Sequence, residues 1–300
     1  MAAVKVRIGF GLGVRTLVND ERFGAAVDAM EALRFDSLWV SERIGGEAPD
    51  PVVAMAFAAG RTSRLKFGTA VMVLPGRNPV LLAKELASLD RLSGGRLLPA
   101  VGIGAPVAAE HRAFGVDRKE RAALFDEAMG LIRRLWTEDR VDHEGPHFHV
   151  EGVALRPKPL QDPIDVWLGG GSPSELRRVA RFGDGWLPSF TTPPEAAEGW
   201  ATINAVAAEH GRAIDPEHFG VLVPFARSGV PEGIAAFMAA RKRPADPADI
   251  VPVGVDALRR HIQAFVAVGA SKFVVVPIEE PADWDGELGE LADTLLPLET

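Results

Sequence analysis

Residues 66–104 read KFGTAVMVLPGRNPVLLAKELASLDRLSGGRLLPAVGIG. The run 67–74 is short, apolar and rich in Val, and Pro75-Gly76 closes it. That length between breakers predicts a strand buried on both faces. Asn78-Pro79 then opens a helix, with Asn at the cap and Pro where a missing N–H costs nothing. Leu82, Leu86, Leu89 and Leu92 recur at helical spacing and predict a stripe facing a core. Ser93-Gly94-Gly95 ends the helix, and 96–103 is a second apolar run finishing in Gly102-Ile103-Gly104. Strand, helix, strand in this span is a right-handed βαβ unit with parallel strands. Parallel strands place chemistry at their carboxyl ends. Here those ends carry bare backbone and small residues and no ionisable group. They suit a flat aromatic cofactor pressed on main chain better than acid–base chemistry.

The same pattern extends both ways. The segment 4–12 predicts a first strand, followed by a loop containing Arg15, and 20–33 an amphipathic helix with Phe23, Val27 and Met30 on one stripe. Asp36–Ser41 predicts a second strand, with Glu42-Arg43 immediately past it. Asp50-Pro51 caps a helix running to Thr62. After a loop at 105–117, 118–136 predicts a long helix with Leu124, Ala128, Leu131, Ile132 and Leu135 inward. The span 137–163 is Pro-rich and predicts a small hairpin outside the main body. Its His143, His147 and His149 raise a metal site, but alternation in a hairpin accounts for them without one.

A strand at 164–168 runs into Gly169-Gly170-Gly171-Ser172 and a helix from Ser174. Exposed N–H groups at a helix N-terminus make a cradle for an anion, although a plain glycine-rich turn reads the same way. Arg177, Arg178 and Arg181 on that helix are within reach of an anionic cofactor, at least one being simply solvated. Trp186, in a turn plus strand at 182–188, lines either the pocket or the core. Further strands are expected at 217–226 and 272–278, helices at 194–210 and 255–268, and an excursion with a short helix (234–241) at 227–254; 284–296 closes the chain. His210 and His261 are expected on helix surfaces. About eight strand–helix repeats make a (β/α)8 TIM barrel, one α/β domain over 1–300 with insertions near 137–163 and 227–254. A doubly wound sheet has no place for so many equivalent units.

Composition sets limits. The chain has 300 residues, 47% of them hydrophobic, enough for a large core, and a net charge of −8, which argues against nucleic acid. No apolar run approaches the roughly 18 residues of a membrane span, and the start carries no signal-peptide pattern. With no Cys and no Tyr there is no thiolate chemistry and no phenolic acid; a cytoplasmic setting fits. A Schiff-base aldolase would place a Lys at a strand's carboxyl end, whereas Lys5, Lys66 and Lys272 lie at strand starts.

The runs 68–97, 101–104 (VGIG) and 166–188 (VWLGGGSPSELRRVARFGDGWLP), with weaker matches at 6–42 and 125–136, resemble the luciferase-like monooxygenase superfamily, in its coenzyme F-420 (8-hydroxy-5-deazaflavin)-dependent oxidoreductase branch. The resemblance implies hydride transfer between F-420 and a small organic substrate. It implies a deazaflavin ring backed by Ala70, Val71 and Met72, with a cis peptide at Ala70-Val71, and bordered by Gly102, Ile103 and Gly104. It places the cofactor phosphate at Gly169, Gly170, Gly171 and Ser172. Many relatives carry Asp-His where this chain has Glu42-Arg43, so their proton handling does not transfer whole. Glu42 becomes the proton-handling candidate, with a salt bridge as its plain alternative. Arg43 joins it as a catalytic candidate, and Arg15, Arg77, Asn78 and Trp186 are the candidate substrate contacts. The 189–194 stretch lacks the lysines expected for a sugar phosphate. Two other functions stay open: an FMN-dependent monooxygenase served by a separate flavin reductase, and an F-420-binding protein without turnover. The resemblance also implies a homodimer through helices flanking strands two and three.

Overall fold

The computed structural model describes residues 5–13, 20–241, 243 and 245–300; Arg15 lies outside them. The strands are β1 (Arg7–Leu12), β2 (Ser37–Val40), β3 (Lys66–Thr69), β4 (Met72–Val73), β5 (Leu97–Leu98), β6 (Ala100–Gly102), β7 (Val141–Glu144), β8 (His149–Val153), β9 (Trp167–Leu168), β10 (Gly185–Trp186), β11 (Gly220–Phe225) and β12 (Lys272–Pro277). The helices are α1 (Asp20–Leu33), α2 (Pro51–Arg61), α3 (Pro79–Ser93), α4 (Ala108–Ala113), α5 (Arg121–Thr137), α6 (Pro173–Phe182), α7 (Pro193–Glu209), α8 (Glu232–Ala239), α9 (Val255–Ala267) and α10 (Trp284–Leu295).

Two parallel sheets, ordered β11-β12-β1-β2-β3-β5 and β10-β9-β6-β4, make the wall of a TIM barrel. The expected strands 67–74 and 96–103 are each broken in two, and the halves belong to different sheets. The first break is the cis peptide Ala70-Val71. The second is Pro99, which has no N–H for the ladder. At this offset the buried Thr69 hydroxyl replaces main chain: it accepts from the Ala100 N–H at 2.9 Å and donates to the Ala100 carbonyl at 2.5 Å. Single parallel bridges, Trp186 to Phe219 and Ser189 to Leu222, join the other two edges. Eight strand positions thus run round the ring.

The interior is filled by Trp39, Ala100, Trp167, Leu187, Val274 and Val276. Glycine makes room for the tryptophans: a Cβ on Gly68 would sit 2.7 Å from the Trp39 ring, and one on Gly185 2.5 Å from Trp167. The floor is polar. Lys272 Nζ donates to Asp36 at 2.7 Å, Ser37 Oγ donates to the same carboxylate at 2.9 Å, and Trp39 Nε1 donates to Ser37 at 2.9 Å. Burial would raise Asp36, but Lys272 and Lys66 hold it at about 2.

Outside the barrel, α3 is capped as expected: Asn78 accepts from the N–H groups of Val80 and Leu81, and Gly94 ends the helix in the left-handed conformation. Leu82, Leu86 and Leu89 are buried, but Leu92 is 86% exposed. The inward stripe continues through Asp90 and Ser93 instead, because 3.6 residues per turn carries position 92 off the buried face. Asp90 is used: it accepts from the N–H groups of Leu160 and Gln161, tying down the 137–163 insertion. That insertion is the antiparallel hairpin β7–β8. Two of its three histidines go to carboxylates, His143 to Glu127 at 2.9 Å and His149 to Glu144. In the excursion after β11, Met238 of α8 packs on Ala226, Ile250 and Val251. His210 caps α7 as an exposed residue, whereas His261 is half-buried against the Phe265 ring. No described helix is long and apolar enough to cross a membrane.

Candidate active site

The carboxyl ends of the strands meet in a cleft of about 500 Å³, within the usual range for a small-molecule site. Its floor is Ala70, Val71, Val101, Gly102, Leu168 and Gly169; Ser41, Glu42, Arg43 and Val73 form one side, Ile103 to Pro106 another. Phe125, Glu175 and Arg178 close the end towards α6, and Ser189 and Phe237 face it from strand end and α8. The Val71 side chain stands between two glycines. A Cβ on Gly102 would come 2.8 Å from Val71 Cγ2, and one on Gly169 3.0 Å from Cγ1. Side chains are therefore excluded where a flat ring would rest, and the floor fits one. A smaller recess beyond Arg43, past Gly104, is bordered by Glu110, His111 and Arg121.

Glu42 is placed by the end of β2 with only 5% of its side chain exposed. One oxygen is paired with Arg77, and the other accepts from the Val73 N–H at 2.5 Å. Arg77 Nε also donates to the Val73 carbonyl at 3.0 Å, and Asp50 lies 3.6 Å from its terminal nitrogen. Burial raises the Glu42 carboxyl, with Arg77 opposing. Arg43 is half-buried and lines both the cleft and the recess.

Several anticipated contacts are spent elsewhere. Met72 is fully buried in the core, because alternation along β4 turns Val73, not Met72, to the cleft. Asn78 uses its side-chain oxygen as the α3 cap. Trp186 is 2% exposed, stacked on Phe219, and absent from the cleft; its indole donates to the Gly170 carbonyl at 2.8 Å and pins that loop. Gly169 and Gly170 do line the cleft. Gly171 and Ser172 lie beyond its lining, and their N–H groups both donate to Glu175 Oε2, at 3.0 and 2.9 Å. The Ser172 hydroxyl in turn accepts from the Glu175 N–H, completing a capping box. Of the three arginines on α6, Arg178 reaches the cleft, held by Asp126 at 2.6 Å and lying over the Phe125 ring. Arg181 lies over Phe182, and Arg177 is exposed.

The sequence reading missed Phe125, Glu175, Ser189 and Phe237. Only Glu175 had a local signal, the Ser-x-x-Glu spacing of a capping box. Phe237 is held by Phe190, edge to face at 5.5 Å, and Phe190 sits in the left-handed region at φ 51°, unusual for a bulky side chain. Nothing in the string announces that pairing.

Comparison with known proteins agrees with this architecture. Residues 7–262 match the luciferase-like monooxygenase family, and the chain belongs to that family. Among curated relatives, an F-420-dependent glucose-6-phosphate dehydrogenase of Kineococcus radiotolerans is 31% identical over 192 residues, 61% of this chain and 56% of the relative. The chain thus spans little more than half the length of such relatives. Among solved structures, a monooxygenase from Streptomyces bottropensis superposes with TM-score 0.78 at 23% identity, covering 98% of this chain and 99% of that one. An F-420-dependent secondary alcohol dehydrogenase, solved as an F-420–acetone adduct, superposes with TM-score 0.80 at 18% identity over 99% and 100%. Both share the fold.

Proposed function

We propose that this chain is an F-420-dependent oxidoreductase that transfers hydride between the deazaflavin and a small, uncharged organic substrate. The observation that carries this reading is the bare floor at Ala70-Val71, Gly102 and Gly169, in a cleft that Phe237 faces. When bound, the cofactor supplies hydride chemistry at one ring carbon; the protein orients the reactants and keeps the face dry. Ala70, Val71, Gly102, Ile103 and Gly104 take the ring, and the loop from Gly169 to Ser172, with Arg178, takes the anionic end. Arg43 contacts the substrate's oxygen or the ring edge. Glu42 positions: with both oxygens engaged, it holds the end of β4 and Arg77 rather than moving a proton. A sugar phosphate is disfavoured because the 189–194 stretch at the end of the strand after α6 carries no lysine.

Titration of the protein with F-420 and, separately, FMN is the test. Micromolar binding of F-420 with much weaker FMN supports the proposal. Preference for FMN moves the chain to the monooxygenase reading with its partner reductase, and binding of neither removes the cofactor assignment. F-420 binding without hydride exchange across a panel of alcohols, ketones and enones leaves a binding protein. A cytoplasmic homodimer is part of the same proposal. Val53 and Phe57 on α2, 65% and 41% exposed, with Ile44 and Leu81 at 59% and 61%, supply apolar surface for it; sedimentation equilibrium reads the state directly.

A further inference from the structure

The loop assigned above to an anion already holds one. A single oxygen of Glu175 receives both the Gly171 and the Ser172 N–H. The carboxylate also fills the loop's concave side: a Cβ on Gly170, whose φ is +98°, would lie 2.6 Å from Glu175 Cδ. Glu175 is at the same time part of the cleft wall. A phosphate accepting from these two N–H groups would have to occupy the same few ångströms as a carboxylate, and two anions at that separation repel. Arg121, at the start of α5, feels the Glu175 charge across the gap, and Arg178 stands one turn along the same helix. With Arg178 held by Asp126, Arg121 is the cationic neighbour for a displaced carboxylate.

We propose that Glu175 is a built-in competitor for the cofactor's phosphate. In the ligand-free protein it satisfies the helix N-terminus. The incoming phosphate takes over the Gly171 and Ser172 N–H groups and drives the carboxylate towards Arg121. The residue thereby weakens the grip on the cofactor and eases its exchange. This inference rests on the F-420 reading of the cleft.

Glu175→Gln separates the competitor from the cap, because glutamine also closes a capping box while carrying no charge. Wild type and E175Q are titrated, by fluorescence and calorimetry, with F-420 and with the phosphate-free ligand 8-hydroxy-5-deazariboflavin. E175Q should bind F-420 about tenfold more tightly, the scale of one charge-assisted hydrogen bond, and the phosphate-free ligand within about twofold of wild type. F-420 binding that is unchanged or weaker in E175Q overturns the competitor and leaves the cofactor assignment standing. Equal tightening of both ligands also overturns it. Failure of both proteins to bind F-420 removes the cofactor assignment and this inference together.

Discussion

Arg77→Ala tests the reading of Glu42 as a structural carboxylate. The pair is enclosed, with side-chain exposures of 5% for Glu42 and 19% for Arg77. Removing the guanidinium leaves a desolvated charge whose remaining partner is the Val73 N–H at 2.5 Å. Breaking a buried pair costs about 3–5 kcal/mol; Arg77 being partly exposed, about 3 kcal/mol is expected at neutral pH. The sign with pH follows from the direction of the shift. Burial already holds Glu42 above its ordinary 4.5, and losing Arg77 raises it further. A carboxyl raised in the folded state contributes stability that is present below 4.5 and lost as pH rises through the folded value. The variant's deficit against wild type should therefore be smallest near pH 4.5 and largest near neutral pH. Urea unfolding across that range measures it, with Glu42→Met/Arg77→Met as the apolar control, expected near wild type. A deficit under about 1 kcal/mol at neutral pH, within the range of an exposed pair, or one that grows towards acid, would refute the argument and return Glu42 to the proton-handling role.

Gly102→Ala drives a methyl to 2.8 Å from Val71 Cγ2; it should cost about 1–3 kcal/mol of stability and weaken F-420 binding, both read by titration and thermal melting. Phe237→Ser changes a side chain that is 54% exposed; stability should move by no more than about 0.5 kcal/mol, F-420 affinity should hold, and KM for apolar substrates should rise. At the barrel floor, Asp36→Asn leaves Lys272 with 10% of its side chain exposed and no anion, for a loss of about 3–5 kcal/mol in urea unfolding. Because Asp36 is held at about 2 against an ordinary 3.8, that loss should be full above 3.8 and fade as pH falls towards 2.

The eight-fold βα repeat, the parallel strands, the Asn78 cap and the glycine-lined strand ends were all legible in the string. Each is a local pattern, and the periodicities and breakers that encode it lie within a few residues of one another. The cis bond at Ala70-Val71 came through family resemblance, since no local signal marks a non-proline cis peptide. What each side chain does at the cleft was decided by the barrel. Closing the ring turns Val73 towards the cleft and Met72 into the core, and it buries Trp186 behind Gly170. It brings Phe237, from an excursion after β11, over residues that lie more than a hundred positions earlier. Glu42 and Arg77 are 35 residues apart, and their meeting depends on the register of β2 beside β3. Pattern specifies which face of an element is apolar; only the packed ring specifies which polar groups consume one another and which are left facing a ligand.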